Sequence, residues 1–152
     1  MSEAKNLEAI LTDFLEYAKP VKLDLEKRDV ITALEESLEA AIAGRQGKIE
    51  IKRAYGAADR SVRMDFVKMR EVFINLIGNA VEAMGAEGVL TLGVYETLDS
   101  TAVSIADTGA GIPAEEAENI FQPFFSTKAK GTGLGLSIAK KIVEAHKGLI
   151  TF

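Results

Sequence analysis

The feature that most constrains the fold of this chain is a stretch of about 25 residues, Thr108 to Thr132, which has no strand periodicity and no helical pattern beyond one short helix near residues 114–119. Connections of this length are uncommon inside compact domains and are typical of functional lids. Glycine-rich runs flank it, with Gly109 and Gly111 at its start and Gly131, Gly133 and Gly135 at its end. We therefore expect an ordered domain that carries one long lid.

Periodic patterns on both sides of this stretch predict the remaining elements. Apolar residues at helical spacing predict helices over residues 7–17, 29–44, 66–84 and 133–146, with a short one near 114–119. Alternating patterns predict strands over residues 21–26, 49–55, 61–65, 90–94 and 101–107, and a last strand that begins at Leu149. This order predicts an α+β fold, a two-layer α/β sandwich in which helices cover one face of a mixed sheet.

Composition excludes several functional classes. The 152 residues contain no Cys and one His, which excludes disulfides, thiolate nucleophiles and multi-histidine metal sites. A net charge of −5 argues against a nucleic-acid binder held by general charge. No apolar run approaches the roughly 18 residues that span a bilayer, and Met1–Asn6 is polar, so we expect a cytoplasmic domain.

The helix predicted over residues 66–84 carries three polar residues spaced by four, Glu71, Asn75 and Asn79. Residues at this spacing stack along one edge of a helix. Asparagine is a mediocre helix former, because its amide competes with the backbone. Two interpretations follow: the amides bond neighbouring loops, or they hold a hard cation or contact phosphate.

Asp107 ends the strand predicted over residues 101–107 and shares a face with Val103 and Ile105. We therefore expect its carboxylate to point towards the core, where it needs a donor. One interpretation is a turn-forming Asp at the end of a strand. The other is an acceptor for a ligand's amino group, with Gly109 and Gly111 allowing the ligand to approach the backbone closely.

The second glycine run, Gly131-Thr132-Gly133-Leu134-Gly135, leads into the predicted helix 133–146. Exposed amides at the start of a helix form an anion-binding cradle. The spacing matches neither the P-loop nor the dinucleotide fingerprint, so a flexible glycine-rich loop is the alternative. Within the lid, we expect the three phenylalanines at 121, 124 and 125 to anchor it on the core. Lys128 and Lys130 add positive charge beside the cradle.

Together these motifs resemble the catalytic, ATP-binding domain of sensor histidine kinases, which share the Bergerat ATP-binding fold with gyrase, Hsp90 and MutL. The resemblance rests on four motifs in order: Asn75…Asn79-Ala80, Asp107-x-Gly109-x-Gly111, Phe121…Phe124-Phe125 and Gly131-x-Gly133-x-Gly135. These motifs cover about residues 71 to 137, and the flanking elements extend the match over roughly 20 to 152. The resemblance implies an ATP lid over about residues 108 to 132.

The resemblance also implies a role for each matched position. Asn79, assisted by Asn75, would coordinate the Mg²⁺ that bridges the ATP phosphates, and Asp107 would accept from the adenine amino group. Further residues implied to contact ATP are Gly109, Gly111, Ile112, Phe121, Lys128, Gly131, Thr132, Gly133, Leu134 and Gly135. Among these, Lys128 would reach the terminal phosphates.

Position 75 distinguishes the branches of this superfamily. The gyrase, Hsp90 and MutL branch has a Glu there that activates water, whereas the Asn75 amide cannot act as a general base. The resemblance therefore implies transfer of the γ-phosphoryl group to a histidine on a separate dimerisation domain, and signalling through a cognate response regulator. The alternatives are an ATPase or protein-serine kinase of the same fold, or a nucleotide-sensing adaptor without catalysis.

The resemblance also divides the chain. Residues 1–19 look like the end of the dimerisation and phosphotransfer helix, and residues 20–152 like the catalytic domain with its terminal strands truncated. The only histidine, His146, occupies the place of a structural turn, so the phosphoacceptor is expected elsewhere. A helix of about 15 residues is a marginal dimer seam, so we expect a monomer. No direct membrane contact is expected.

Overall fold

The computed structural model describes residues 3–56, 61–128 and 131–152, which fall into two compact units. One unit comprises Asp24–Gly111. The other combines the chain up to Leu23 with Ile112–Phe152.

The strands of the described chain belong to the unit Asp24–Gly111. Strand β1 (Glu26–Asp29) pairs antiparallel with β3 (Ser61–Met64). Strand β4 (Glu87–Glu96) lies between β2 (Lys48–Tyr55), to which it is parallel, and β5 (Thr101–Asp107), to which it is antiparallel. The three-stranded sheet is therefore mixed, as predicted.

Two helices complete this unit, α2 (Val30–Ile42) and α3 (Phe66–Met84). Helix α3 packs against α2, β4 and β5. The core between them consists of aliphatic and aromatic side chains that are at most 3% exposed: Leu34, Leu38, Val72, Phe73, Ile77, Val81, Leu90 and Leu92. This arrangement of helices on a mixed sheet confirms the predicted α+β class.

Asp65 is the N-cap of α3 and also fixes the chain that precedes β1. One carboxylate oxygen accepts from the Lys68 amide at 3.0 Å, and the other accepts from the Asp24 amide at 3.0 Å. The Asp24 amide is thus bound to a side chain rather than to a neighbouring strand. The strand predicted over residues 21–26 is wrong for this reason, and the strand begins instead at Glu26.

Glu35 ties α2 to the edge strand β2. Its carboxylate accepts from the Arg53 guanidinium at 2.6 and 2.9 Å and from the Tyr55 hydroxyl at 2.5 Å. The hydrogen bond from Arg53 lowers the pKa of the Glu35 carboxyl below its ordinary value, against the opposing effect of burial. Burial raises the pKa of the Tyr55 hydroxyl, and Glu35 raises it further.

We expect Glu35→Gln to lower the free energy of unfolding at neutral pH by about 1 kcal/mol, because a partly exposed charge pair contributes only that much. A carboxyl whose pKa is lowered in the folded state stabilises the fold above its unfolded pKa and loses this effect as pH falls through the folded pKa. Urea unfolding of the wild-type and Glu35→Gln proteins should therefore show a difference in the free energy of unfolding at neutral pH that disappears at acid pH. Glu50→Gln, at an exposed pair with Lys52, is the control and should leave stability unchanged. If that difference in the free energy of unfolding persisted at acid pH, the Glu35 carboxylate would not be its source.

The second unit contains α1 (Glu3–Ala18), α4 (Ala114–Ala117) and α5 (Gly135–Ala145). The apolar stripe of α1 is largely exposed in the described chain, although a stripe of this kind is typical of a helix with one buried face. Leu7, Leu11 and Leu15 are 68%, 56% and 51% exposed. Helix α1 packs against α5, where Lys141 contacts Tyr17 and Lys19.

Helix α5 begins two residues later than predicted and ends at Ala145. His146 follows it, and its Nδ1 donates to the Ile142 carbonyl at 2.8 Å, so this ring belongs to the helix terminus. The strand predicted from Leu149 is not formed in the described chain, because no described strand pairs with residues 149–152. Within the described ranges, no helix is long and apolar enough to cross a bilayer.

Candidate nucleotide-binding site

Asn75 and Asn79 lie on the outward side of α3, beside its buried stripe. Both side chains are half-buried and line one cavity of about 500 Å³. The helix places them one turn apart, so that both amides border the same space. The described lining of this cavity comes from α3 alone: Val67, Arg70, Glu71, Ile74, Asn75, Gly78, Asn79 and Glu82.

Three charged residues share this cavity with the asparagines, namely Arg70, Glu71 and Glu82. Glu71 forms an ion pair with Lys68, with 3.1 Å between Oε2 and Nζ. Arg70 was missed by the sequence analysis, although it lies one turn before Ile74 on the same face. Its guanidinium is 6.0 Å from the centre of the Phe66 ring, and its Nε lies 3.4 Å from Glu36 Oε2. The cavity thus contains a cation that is fixed by neighbours on α2 and α3.

The donor set in this cavity suits a hard cation that brings part of its own coordination. Across the described ranges, no three Asp, Glu, His or Cys side chains are grouped as a metal cage. Mg²⁺ takes oxygen ligands and is commonly held by one or two protein groups together with substrate phosphates. The amide oxygens of Asn75 and Asn79 fit that role.

Asp107 closes β5 and shapes the turn that follows. Its Oδ1 accepts from the Gly109 amide at 2.8 Å, as in an Asx turn. The expectation that Asp107 points into the core is wrong: the residue is exposed, because the turn begins at the strand's last residue. Within the described chain, its Oδ2 accepts no hydrogen bond, and that oxygen can therefore receive a donor from a ligand.

Glycine is needed at positions 109 and 111 for two different geometric reasons. A Cβ on Gly109 would lie 2.7 Å from the Ala83 carbonyl, so only glycine allows this loop to approach the end of α3. Gly111 has φ of 76°, in the left-handed region that favours glycine. Gly109 therefore brings the loop after β5 against the same helix that carries the asparagines.

The second glycine run lies in the other unit and opens α5. Gly133 has φ of 71°, and a Cβ there would lie 2.5 Å from the Phe124 carbonyl carbon. Leu134 is fully buried and anchors the run, while Thr132 Oγ1 accepts from the Leu134 amide at 3.4 Å. The helix that starts at Gly135 has no side-chain cap. Amides at such a helix start can bind an anion.

The phenylalanines of the lid do not act alike. Phe121 and Phe125 are half-buried, and Phe121 contacts Phe152 with 6.3 Å between ring centres. Phe124 is 55% exposed and has φ of 65°, so the expectation that all three anchor the lid on the core is wrong for Phe124. Its backbone, and not its ring, meets Gly133.

Lys128 is exposed, and its amide donates to Ser126 Oγ at 3.1 Å. Its carbonyl accepts from the Gly131 amide at 3.2 Å, which joins the end of the lid to the glycine run. Ile112 is 47% exposed and begins this part of the unit. Lys130 lies outside the described residues.

The predicted site residues are therefore divided between the two units. Asn75, Asn79, Asp107, Gly109 and Gly111 belong to Asp24–Gly111, and the other predicted contacts belong to Ile112–Phe152. Within the first unit, the asparagines share a cavity and the Asp107 turn meets their helix. Within the second, the lid is packed on the glycine run.

Comparison with known proteins adds three findings. The chain is 35% identical over 150 residues to the sensor histidine kinase ZraS of Escherichia coli K12, a match that covers 97% of this chain and 32% of ZraS. The crystal structure of histidine kinase ThkA in complex with the response regulator TrrA matches with a TM-score of 0.78 at 32% identity, over 96% of this chain and 42% of that one. Full-length ShkA in complex with AMPPNP matches with a TM-score of 0.80 at 26% identity, over 94% of this chain and 32% of that one.

This chain spans about a third of the length of ZraS, so it corresponds to one part of such a protein. The family described as histidine kinase-, DNA gyrase B-, and HSP90-like ATPases matches residues 64–152. That range contains both asparagines, the Asp107 turn, the lid and the glycine run. The chain belongs to this ATPase family, and it is similar to sensor histidine kinases and to the catalytic domain of histidine kinase ThkA.

Proposed function

We propose that this chain is the ATP-binding catalytic domain of a sensor histidine kinase. It transfers the γ-phosphoryl group of Mg–ATP to a histidine on a separate dimerisation domain, and the phosphoryl group then passes to a response regulator. The observation that carries the proposal is the cavity on α3, in which Asn75 stands where a hydrolytic relative needs a general base. The likeness to ZraS and to the ThkA–TrrA complex supports the same interpretation.

In this proposal each half of the site has one task. Asp107 Oδ2 accepts from the adenine amino group, and the Asn79 and Asn75 amide oxygens hold the metal. The amides of the run from Gly131 to Gly135 bind phosphate oxygens, and Lys128 neutralises the terminal phosphate. When bound with ATP, Mg²⁺ would offset the charge of the phosphates. A domain of net charge −5 needs such local groups to hold a polyanion.

The reaction needs no nucleophile from this chain. An imidazole nitrogen of the acceptor histidine attacks the γ-phosphorus, and the bond between that phosphorus and the β,γ-bridging oxygen breaks. ADP leaves with the bond's electron pair, and the phosphorylated imidazole loses its N–H proton to solvent. Phosphoryl transfer depends mainly on positioning and charge neutralisation, which the asparagines, glycine amides and Lys128 supply.

The relation to the parent protein completes the proposal. Residues 1–19 are the end of the dimerisation helix, and the exposed stripe of α1 is consistent with a helix that has further partners. Residues 20–152 form the catalytic domain, with an ATP lid over 108–132. The domain acts in the cytoplasm, and this piece alone is monomeric.

The direct test mixes this chain with a histidine-bearing bundle from a cognate kinase and ATP labelled on the γ-phosphate. We expect label on the bundle and none on this chain, with the labelled residue stable to base and labile to acid. Label on this chain alone would refute the proposal. Tight ATP binding with no transfer to any cognate bundle would support a nucleotide-sensing adaptor instead.

Asn75→Glu tests the significance of position 75. We expect phosphate release from ATP to rise about 100-fold, because a carboxylate there can take a proton from water. Asn75→Gln is the matched control: it has the same length but an amide that accepts no proton. Phosphate release should rise only in the Glu variant. Equal rates in both variants would show that position 75 does not separate transfer from hydrolysis.

A further inference from the structure

Lys141 on α5 supplies a cap for a different helix. Helix α1 ends at Ala18 and has no basic residue in its last turn. Lys141 Nζ donates to the carbonyls of Tyr17 and Lys19, the latter at 3.0 Å, and lies 4.9 Å from the centre of the Tyr17 ring. The last carbonyls of a helix lack intrahelical partners and carry partial negative charge. The ammonium group of Lys141 thus satisfies the C-terminus of α1.

A second contact joins α1 to the lid. The Phe14 ring stacks on the Phe124 ring, with 6.2 Å between centres and 26° between planes. Phe124 adopts φ of 65°, a left-handed conformation that non-glycine residues rarely take. Such a conformation persists where neighbouring groups hold it. Phe14 on one side and Gly133 on the other are the neighbours that meet Phe124.

Both contacts lead to the same place. Phe124 lies directly against Gly133, where a Cβ would be 2.5 Å from the Phe124 carbonyl carbon. Lys141 is on the helix that begins at Gly135, about 9 Å of helix rise further along. A displacement of α1 therefore reaches the glycine run by two routes, through Phe124 and through α5.

The rest of α1 offers little resistance to such a displacement. Leu7, Leu11 and Leu15 are more than half exposed, so they bury little area within the unit. The C-terminal turn, with Phe14 and Tyr17, makes the described contacts of this helix with the lid and α5. The position of α1 thus depends on a few contacts at one end.

We propose that Lys141 and Phe14 are positioning residues for the phosphate-binding amides between Gly131 and Gly135. By docking the end of α1, they set the geometry of the glycine run, so that the placement of α1 governs nucleotide affinity. Because coupling between two sites is reciprocal, bound nucleotide in turn strengthens the docking of α1. The inference rests on the proposed function, since it requires that the run binds ATP phosphates.

The first test measures ATP affinity by calorimetry in the absence of any acceptor. We expect Lys141→Met to weaken binding about fivefold or more, and Lys141→Arg, which keeps the cation, to stay within about twofold. Lys22→Met removes the same charge from an exposed position and should bind like wild type. Phe14→Ala provides an independent variant with the same expected loss. Wild-type affinity in both Lys141→Met and Phe14→Ala would overturn the inference, whereas no binding by wild type would instead refute the proposed function.

The second test uses a readout that a merely structural role would not move. Spin labels at Asn6→Cys and Glu144→Cys report the distance between α1 and α5. Because the chain has no cysteine, no native residue has to be replaced to prevent labelling elsewhere. We expect AMPPNP to narrow this distance distribution in an otherwise wild-type protein and to leave it unchanged with Lys141→Met. A distribution in the otherwise wild-type protein that does not respond to nucleotide would overturn the inference.

Discussion

Asn79→Ala should reduce Mg²⁺-dependent ATP binding and phosphoryl transfer at least about 100-fold, because it removes the amide oxygen proposed to hold the metal. Asn79 is half-buried in the wall of the α3 cavity, one turn from Asn75. Alanine is the best helix former, so α3 should remain folded. The loss should therefore appear in binding and transfer while the unfolding transition stays close to that of wild type.

This prediction is checked by titrating Mg²⁺ at fixed ATP and measuring both nucleotide binding and transfer to a histidine-bearing bundle. Asn6→Ala is the matched control, since it makes the same change on the exposed surface of α1. It should leave the Mg²⁺ dependence untouched. If Asn79→Ala retained a wild-type Mg²⁺ titration, the cation would have to be held elsewhere, and the cavity on α3 would lose its role.

Helix α3 and strand β5 have the bounds that the sequence predicts, because the residues that determine those bounds lie within or next to each element. Helix α3 begins and ends as expected because Asp65 caps it, a continuous apolar stripe runs along it and Gly85 follows it. Strand β5 matches because its alternation of side chains corresponds to half-buried and exposed positions. In both, the pattern that sets the bounds lies within the element or directly beside it in sequence.

The strand predicted over residues 21–26 is wrong because the structure of this segment depends on contacts with residues distant in sequence. Strand β1 has four exposed side chains and thus no alternation, and its partner Ser61–Met64 lies more than thirty residues away. The segment before it loses strand geometry because the Asp24 amide binds Asp65. No pattern within residues 21–29 contains that information.

The site residues likewise differ in how far local sequence patterns predict their positions. Spacing by four placed Asn75 and Asn79 on one edge of a helix, which the shared cavity confirms. Alternation along β5 wrongly placed Asp107 in the core, because the Asx turn with Gly109 begins at that residue. Arg70 was missed because its position near the asparagines depends on Glu36 and Phe66, neither of which belongs to a recognisable motif.

The exposure of Asp107 leads to a prediction about base specificity. Asp107→Asn keeps the Oδ1 that binds the Gly109 amide, so the turn should survive. At the other position it replaces an acceptor oxygen by an amide donor, which would face the donor amino group of adenine. A hydrogen bond to a charged acceptor is lost and two donors are opposed, so we expect ATP affinity to fall about 10- to 100-fold.

The same substitution should change the preference between purines. Guanine carries a carbonyl oxygen where adenine carries the amino group, and the side-chain amide introduced by Asp107→Asn could donate to it. Calorimetry with ATP and GTP should therefore show the ratio of their affinities shift towards GTP. Asp99→Asn, in the exposed turn between β4 and β5, is the matched control and should leave both affinities unchanged. An unchanged ratio would place the adenine amino group away from Asp107. If the carboxylate acted only through its charge, Asp107→Asn would change the affinities for ATP and GTP by the same factor.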